Sequence, residues 1–301
     1  MKISDALRES RHILDSKGVS NSKLDSLILL SHAFFLCGEE ATKERIIFNP
    51  DLLLDEEKQK TFFHLVARRA KREPISHIIN RREFYGEDFF VNSDVLDPRP
   101  DSESLIEEVF KKFPEKNRQL KILELGVGSG CLIITLLKAF QEADGIGVDI
   151  SDAALKIAQK NAEFHKIDKR LTLKKSDLFS VLDKEKFDLI ISNPPYIPAQ
   201  EIEALEPEVK IYEPKTALDG GADGLDFYRR IADAAQNFLN KKGQIILEIG
   251  FGQKEKIVEI FTQEKFLLNG VKLDLSGVER VLCFVIPSCI QNMSKETAEF
   301  W

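Results

Sequence analysis

Between Leu120 and Val285 short apolar runs alternate with amphipathic stretches of helical length, and this alternation narrows the possible folds more than any other feature of the chain. Lys121–Leu125, Gly145–Ile150, Leu171–Lys174, Phe187–Ser192, Gln244–Ile249, Val271–Leu275 and Arg280–Val285 read as strands. Helices are expected from the glycine turn at 126–130 through Leu137, from a Ser151 cap to Phe164, over Phe227–Leu239 and over Glu255–Phe266. Strands that alternate with helices in this way predict a doubly wound α/β sheet.

The N-terminal segment follows a different rule. Residues 1–73 read as helical throughout, with a first helix capped at Ser4 and marked by Leu7, Ile13 and Leu14. A second helix is expected over Lys23–Phe35, capped at Ser22, with Leu24, Leu27, Ile28, Ser31, Phe34 and Phe35 on or near one face. Shorter helices follow at Lys43–Phe48 and Glu56–Arg69. The pattern switches at Pro74: Ile78-Ile79, then Phe84-Tyr85, a turn at Gly86-Glu87-Asp88 and Phe89–Val91 read as a hairpin. The expected organisation is a helical domain at 1–73, a linker at 74–100, an α/β domain at 101–286 and a terminal tail at 287–301. A helix over Ser102–Phe113 opens the third of these.

Composition excludes several classes. With 43 Lys+Arg against 50 Asp+Glu the net charge is -7, which argues against a partner held mainly by its phosphate backbone. No apolar run approaches the roughly 18 residues of a membrane span, and the polar start Met1-Lys2-Ile3-Ser4-Asp5 lacks a signal-peptide core. The four cysteines, Cys37, Cys131, Cys283 and Cys289, form no Cys-x-x-Cys pair, and the five histidines make no metal-ligand pattern. Neither a bound metal nor a disulfide scaffold is expected, and a cytoplasmic location is the default.

Glu124-Leu125-Gly126-Val127-Gly128-Ser129-Gly130 joins a buried strand to a helix. Glycines there let the backbone turn tightly and approach a ligand. No Walker lysine follows, and the spacing differs from the dinucleotide Gly-x-Gly-x-x-Gly pattern. Asp149, ending the second strand, supplies a carboxylate able to accept from both hydroxyls of a ribose. A nucleoside site is the expectation; an ordinary strand-end Asp is the alternative. Ser176-Asp177-Leu178-Phe179 ends the third strand, where Asp177 can bond an adenine amino group and Leu178 or Phe179 can pack on its ring; a plain turn is the equal alternative.

Asn193-Pro194-Pro195-Tyr196 follows the fourth strand, where a proline turn with a capping Asn is the plain alternative to a site. Two prolines stop the ladder and build a rigid rim at the carboxyl edge of the sheet, where open α/β folds bind ligands. The Asn193 carboxamide and the Pro194 carbonyl can both accept from one planar amine, and Tyr196 offers a ring face beside them. That arrangement suits methylation of an amide or exocyclic amine, whose delocalised lone pair makes orientation against a sulfonium methyl the main catalytic task.

These two motifs, in this order, resemble the Rossmann-like S-adenosylmethionine-dependent amino methyltransferases. The likeness narrows through Pro74-Ile75-x-x-Ile78, Glu83-Phe84-x-Gly86-x-x-Phe89-x-Val91 and Val95-Leu96-Asp97-Pro98-Arg99-Pro100 running into Glu103. It extends to Asp149-Ile150-Ser151, the Asn161…His165 helix end, Pro214…Ala217-Leu218-x-Gly220-Gly221-x-Asp223-Gly224-Leu225, Leu247-Glu248-Ile249-Gly250 and Asp274-Leu275-x-Gly277-x-x-Arg280-Val281. Together they resemble the HemK/PrmC family over about residues 74–286. The resemblance implies a seven-stranded methyltransferase domain preceded by a small helical bundle and a β-hairpin linker. It implies transfer of a methyl group from S-adenosyl-L-methionine to the glutamine side-chain nitrogen in the Gly-Gly-Gln motif of peptide-chain release factors, with no nucleic acid or membrane required.

Carried over by residue, the cofactor set is Gly126, Val127, Gly128, Ser129, Gly130, Asp149, Asp177, Leu178 and Asn193. Asn193 and the Pro194 carbonyl would hold the target amide, with Pro195 and Tyr196 shaping its pocket. The chain departs from the family at His77, Asn80, Asp97, Asp101-Ser102, Glu124 and Val127, none of which removes a reacting group. Asn80 replaces a glycine, and Asn tolerates left-handed geometry better than most residues. Leu178 lies where some members have Trp. The basic cluster Arg68, Arg69, Lys71, Arg72, Arg81 and Arg82 reads either as a solvated helix end or as a face for an acidic release-factor surface. A DNA adenine methyltransferase shares the Asn-Pro-Pro-Tyr chemistry, but the acidity and the 214–225 and 274–281 motifs disfavour it. A non-enzymatic adaptor is disfavoured by the intact 126–130, Asp149 and 193–196 motifs.

Overall fold

The computed structural model describes residues 1–183, 185–274 and 276–287. Five helices come first: α1 (Ile3–Ser16), α2 (Ser22–Leu36), α3 (Lys43–Phe48), α4 (Glu56–Arg69) and α5 (Ile75–Ile79). A hairpin of β1 (Arg82–Phe84) and β2 (Glu87–Phe89) leads to α6 (Glu103–Lys112), β3 (Lys121–Leu125), α7 (Cys131–Ala139), β4 (Asp144–Asp149) and α8 (Asp152–Phe164). Then follow β5 (Leu171–Lys175), β6 (Phe187–Ser192), α9 (Pro207–Tyr212), α10 (Asp226–Ala235), β7 (Leu239–Glu248), α11 (Lys254–Gln263), β8 (Leu267–Leu273) and β9 (Glu279–Val285). The chain forms two compact units, one of Met1–Arg81 with Glu206–Tyr212 and the other of Arg82–Leu205 with the chain from Glu213 onward. The division falls inside the expected 74–100 linker, and the return of 206–212 to the helical unit has no counterpart in the sequence pattern.

The helical unit packs α1, α2 and α4 around Leu14, Leu29, Leu30, Phe34, Phe62 and Val66. Thr42 and Asp55 cap α3 and α4 by accepting from the Arg45 and Lys58 amides. The expected Ser4 cap is not used. Instead α1 begins at Ile3, and the Ile3 and Ser4 amides donate to the carbonyls of Leu52 and Pro50. Nor does Ser22 cap α2 from outside; it is the first helical residue. The buried face of α2 runs through Ser22, Asp25, Ser26, Leu29, Leu30, Ala33 and Phe34, leaving Leu24 and Phe35 exposed. Apolar residues all round this helix hide its inner face, and that face carries a charge. Asp25 pairs with Arg69 at 2.7 Å, both buried.

That pair belongs to a larger correction. Arg69 also meets Glu208 of α9 at 3.0 Å, Arg72 meets Glu208 and Glu206, and Arg68 binds Glu73. Three arginines of the expected basic face are therefore neutralised within their own unit. Ile78-Ile79, expected as strand, lie in α5. Pro74, with φ fixed at -55°, starts a helix well, and an apolar pair alone does not distinguish helix from strand. Asn80 ends α5 in the left-handed region at φ 54°, ψ 35°, the geometry a glycine would otherwise serve.

The sheet unit holds seven strands in the order β5-β4-β3-β6-β7-β9-β8. All pairs from β5 to β7 are parallel, while β9 runs antiparallel to both β7 and β8. Alternate residues serve opposite faces, as a pleated strand requires. Ile122, Leu189, Ile191, Ile246 and Cys283 join α6, α7 and α8 on one side. Leu123, Leu125, Ile190, Ile245, Leu247 and Phe284 join α10 and α11 on the other. Between β3 and β6 the strand order reverses, which opens a crevice at their carboxyl ends.

Local differences from expectation have local causes. The hairpin turns on Tyr85 and Gly86, both at positive φ, so Glu87 and Asp88 belong to β2; two residues of this kind match the twist of paired strands. Residue 239, expected to end a helix, begins β7 after a 3-10 turn at Gln236–Phe238, because Phe238 stacks on Phe179. Lys265 takes a left-handed conformation and ends the α11 segment early, so β8 starts at Leu267. The expected tail lies, from residue 288 on, outside the described residues, as does Leu275.

Candidate active site

At the carboxyl ends of β3, β4 and β6 lies a cavity of about 490 Å³, built wholly from the sheet unit. Its floor is the glycine turn. Gly126 and Val127 both donate their amides to the Val148 carbonyl at 2.9 Å. Gly126 and Gly128 sit at φ 71° and 51° with open space where a Cβ would lie, so backbone conformation rather than crowding demands glycine there. From behind, Asn161 of α8 donates to the Ser129 carbonyl at 2.8 Å. The same carboxamide donates to the Phe90 carbonyl and accepts from the Phe90 amide, at 3.0 and 2.7 Å. One fully buried side chain thus braces both the glycine turn and the end of the hairpin.

Asp149 closes one side. Its two oxygens accept from the Gly128 amide at 3.0 Å and the Ser151 amide at 2.9 Å, which fixes the carboxylate while leaving lone pairs for a diol. Ile150, Leu178 and Phe227 supply apolar wall, and Leu178 holds φ 50°. Phe179 is buried in the core, so Leu178 is the member of that pair which faces the cavity. Asp177 also lines it, already paired with Arg230 at 2.7 Å. Open glycine backbone, an anchored carboxylate and an apolar wall fit a nucleoside with a charged amino-acid tail.

The opposite wall carries Asn193 and Pro195. β6 reaches this point one residue after Ser192, whose hydroxyl donates to the Leu125 carbonyl and pins β6 to β3. The loop that follows is gripped closely. Gln253 donates to the Tyr196 carbonyl at 2.9 Å, and Ile197 exchanges backbone bonds with Leu218 and Gly220. A Cβ on Gly224 would sit 2.3 Å from the Tyr196 carbonyl oxygen, and one on Gly220 would sit 2.8 Å from that of Pro195. The Gly220…Gly224 motif is therefore a mould for the Asn-Pro-Pro-Tyr loop.

Asn193 donates through Nδ2 to the Ser102 hydroxyl at 3.1 Å, and Ser102 donates to Glu248 at 2.5 Å. Glu248 is buried at the end of β7, and burial pushes its carboxyl up to about 7 against the pull of the Ser102 hydrogen bond and Arg280. Tyr196 is pushed up to about 12, chiefly by burial, with Glu248 adding to it. Its ring packs by Gly250.

Of the residues expected from sequence, Gly126, Val127, Gly128, Ser129, Asp149, Asp177, Leu178, Asn193 and Pro195 line the cavity. Gly130, Pro194 and Tyr196, also expected, do not line it. Ser102, Glu124, Arg99, Ile150, Phe227 and Arg230 were not expected there as lining. Arg99, Glu124 and Ile150 belong to the sequence motifs named above and Ser102 to the departures, so a signal existed for each; Phe227 and Arg230 lie on α10 with none. Cys131 also lines the cavity, but burial and the nearby Glu124 push its thiol up, away from nucleophilic use. Among the described residues no group of three or more His, Cys, Asp or Glu could hold a metal ion, and no helix is long and apolar enough to cross a membrane.

Comparison with known proteins agrees with this geometry. Residues 5–79 match the model of the PrmC N-terminal domain, and residues 100–210 match that of the methyltransferase small domain. A release factor glutamine methyltransferase from Geobacter sulfurreducens is 43% identical, covering 91% of this chain and 93% of its own. One from Caulobacter vibrioides is 38% identical over 89% and 91%. The solved hMettl16 catalytic domain shares the fold, with a TM-score of 0.55 at 18% identity over 73% of this chain and 81% of its own. On this likeness along nearly its whole length, the chain belongs to the HemK/PrmC family of release factor glutamine methyltransferases.

Proposed function

We propose that this protein transfers a methyl group from S-adenosyl-L-methionine to the side-chain amide nitrogen of the glutamine in the Gly-Gly-Gln motif of peptide-chain release factors, acting in the cytoplasm. The observation that carries it is the Asn193 carboxamide, held by Ser102 on the wall of a cavity whose opposite side presents Asp149 and the glycine turn. Gly126–Gly130 and Asp149 would hold the cofactor, with Leu178 and Ile150 against its base. When bound, the cofactor supplies an electrophilic methyl on a sulfonium.

The protein's own task is positional. A primary amide nitrogen is a weak nucleophile because its lone pair is delocalised. Acceptors on Asn193 and the Pro194 carbonyl would bind both amide hydrogens, turn the nitrogen's lone pair toward the methyl and favour loss of a proton as the new bond forms. Pro195 and Tyr196 would shape the pocket, and the helical unit, residues 1–73 in the main, would recognise the release factor.

The test is mass analysis of unmodified release factor incubated with the enzyme and S-adenosylmethionine. One methyl group on the motif glutamine is expected, absent when that glutamine is replaced or when the enzyme carries Asn193→Ala. Unmethylated release factor alongside an enzyme that binds the cofactor would refute the substrate assignment, and methylated adenine in a parallel duplex DNA sample would replace it.

A further inference from the structure

We propose that Ser102 and Glu248 are positioning residues for this reaction, locking the Asn193 carboxamide so that its oxygen, and not its NH2 group, is presented to the substrate. The inference rests on the function proposed above and adds a direction to the polar chain behind Asn193. A hydroxyl has one proton to give. An ionised carboxylate can only accept, so at 2.5 Å the Ser102 proton points to Glu248 Oε2. Ser102 Oγ can then only accept from Asn193, which must turn its Nδ2 toward it, at 3.1 Å. Oδ1 is left as the hydrogen-bonding atom for a substrate N–H. A flipped carboxamide would set NH2 against the incoming NH2, a clash of donors.

The fold supplies each member separately. In the parallel register Ser192 faces Leu247, so the next position brings Asn193, just past the end of β6, beside Glu248, the last residue of β7. Ser102 ends the 3-10 turn that opens α6. Its neighbour Asp101 meets Arg280 at 3.4 Å, and Arg280 is held by Asp274 at 3.0 Å. The 274–280 motif thereby anchors the segment that carries Ser102.

A protonated Glu248 reverses the chain: its O–H donates to Ser102, whose own proton turns to Asn193, and the carboxamide flips. The groups around Glu248 are Arg280 on β9, Arg99 and Asp101 before α6, Tyr196 on the loop, Tyr228 on α10 and Cys131 on α7. Arg280 and Arg99 favour the ionised form; burial and Asp101 oppose it, with a balance at about 7. Activity should fall as pH drops through that value.

The experiment compares steady-state methylation of release factor by wild type, Ser102→Ala, Ser102→Thr and Glu248→Gln, with cofactor affinity from calorimetry. Ser102→Ala should lower kcat by about 30- to 100-fold, the scale of a misplaced reacting group, with KM and cofactor Kd within about threefold. Ser102→Thr should restore kcat to within about threefold, and Glu248→Gln should abolish the acid limb of the kcat profile. An unchanged kcat in Ser102→Ala, a parallel loss of cofactor affinity, or no rescue by threonine would overturn the proposal. Independently of turnover, the isotope-labelled side-chain NH2 signal of Asn193, assigned by its loss in Asn193→Asp, should shift in Ser102→Ala and titrate near pH 7 in the wild type. A signal indifferent to both would overturn it even were release factor not the substrate. Inactive wild type with a responsive signal would instead refute the substrate assignment alone.

Discussion

Asn161 offers the sharpest test of how the glycine turn is held. Its fully buried carboxamide makes three hydrogen bonds, to the Phe90 amide, the Phe90 carbonyl and the Ser129 carbonyl. At about 1 kcal/mol each, Asn161→Ala should cost about 3 kcal/mol of stability. Asn161→Asp is the more informative change, since it keeps the acceptor toward the Phe90 amide but sets a second carboxylate oxygen against two carbonyls. Burial and those carbonyls should raise the introduced carboxyl by roughly 2–3 units above about 3.9, equivalent to about 3–4 kcal/mol. The sign follows from linkage: a carboxyl raised in the folded state carries no ionisation penalty below its unfolded pKa, and the full penalty above its folded one. The destabilisation specific to Asp should therefore grow from about pH 4 to about pH 7 and then level off. Urea unfolding across that range, with hydrogen exchange on peptides spanning the hairpin, reads both effects, and the Phe90 amide should lose protection in Asn161→Ala but keep its acceptor in Asn161→Asp. Wild-type stability for Asn161→Asp at about pH 8, or a penalty that does not fade on acidification, would refute the bracing role.

Three further outcomes follow from the geometry. Asp149→Asn keeps the size but removes the charge on which the Gly128 and Ser151 amides converge; cofactor Kd should weaken by about 10- to 100-fold by calorimetry, and an unchanged Kd would exclude Asp149 from the cofactor site. Gly224→Ala places a methyl on the Tyr196 carbonyl at a backbone φ of +76°; kcat should fall at least about tenfold with cofactor binding retained, and full activity would mean that this mould is not needed. Asp25→Ala leaves the buried Arg69 guanidinium with Glu208 as its only carboxylate, so thermal unfolding should show a loss of about 1.5–3 kcal/mol, the scale of one hydrogen bond to a charged group, whereas a fully stable variant would mean that Glu208 alone compensates it.

The α/β alternation was readable because each strand is short, apolar and bounded by turn residues, and the glycine turn, Asp149 and Asn193 sit where such strands end. The directional chain behind Asn193 was not readable. Ser102 and Glu248 are 146 positions apart in sequence, and nothing local tells a buried glutamate that anchors a hydroxyl from one at a strand end. The inner face of α2 stayed hidden for a related reason, since Asp25 is buried only because Arg69, from another helix, comes to meet it. Periodicity reports the average polarity of a face, so it cannot register a charge that tertiary pairing makes welcome. The short helix at Ile75–Ile79 shows the other limit, where too few residues exist for a period to declare itself.

The path of the chain through its two units has a consequence for biosynthesis. Residues 206–212 leave the sheet unit to join the helical one, and they bring Glu206 and Glu208 to Arg69 and Arg72. While the chain emerges from the ribosome, the first helices can assemble early and Arg69 can meet Asp25, yet Arg72, and the second carboxylate of Arg69, must wait for residues synthesised more than 130 positions later. Maturation of the N-terminal part is thus coupled to translation of the catalytic half. A fragment ending near residue 81 would keep the buried apolar cluster of the helical unit and lose only the carboxylates of Glu206 and Glu208.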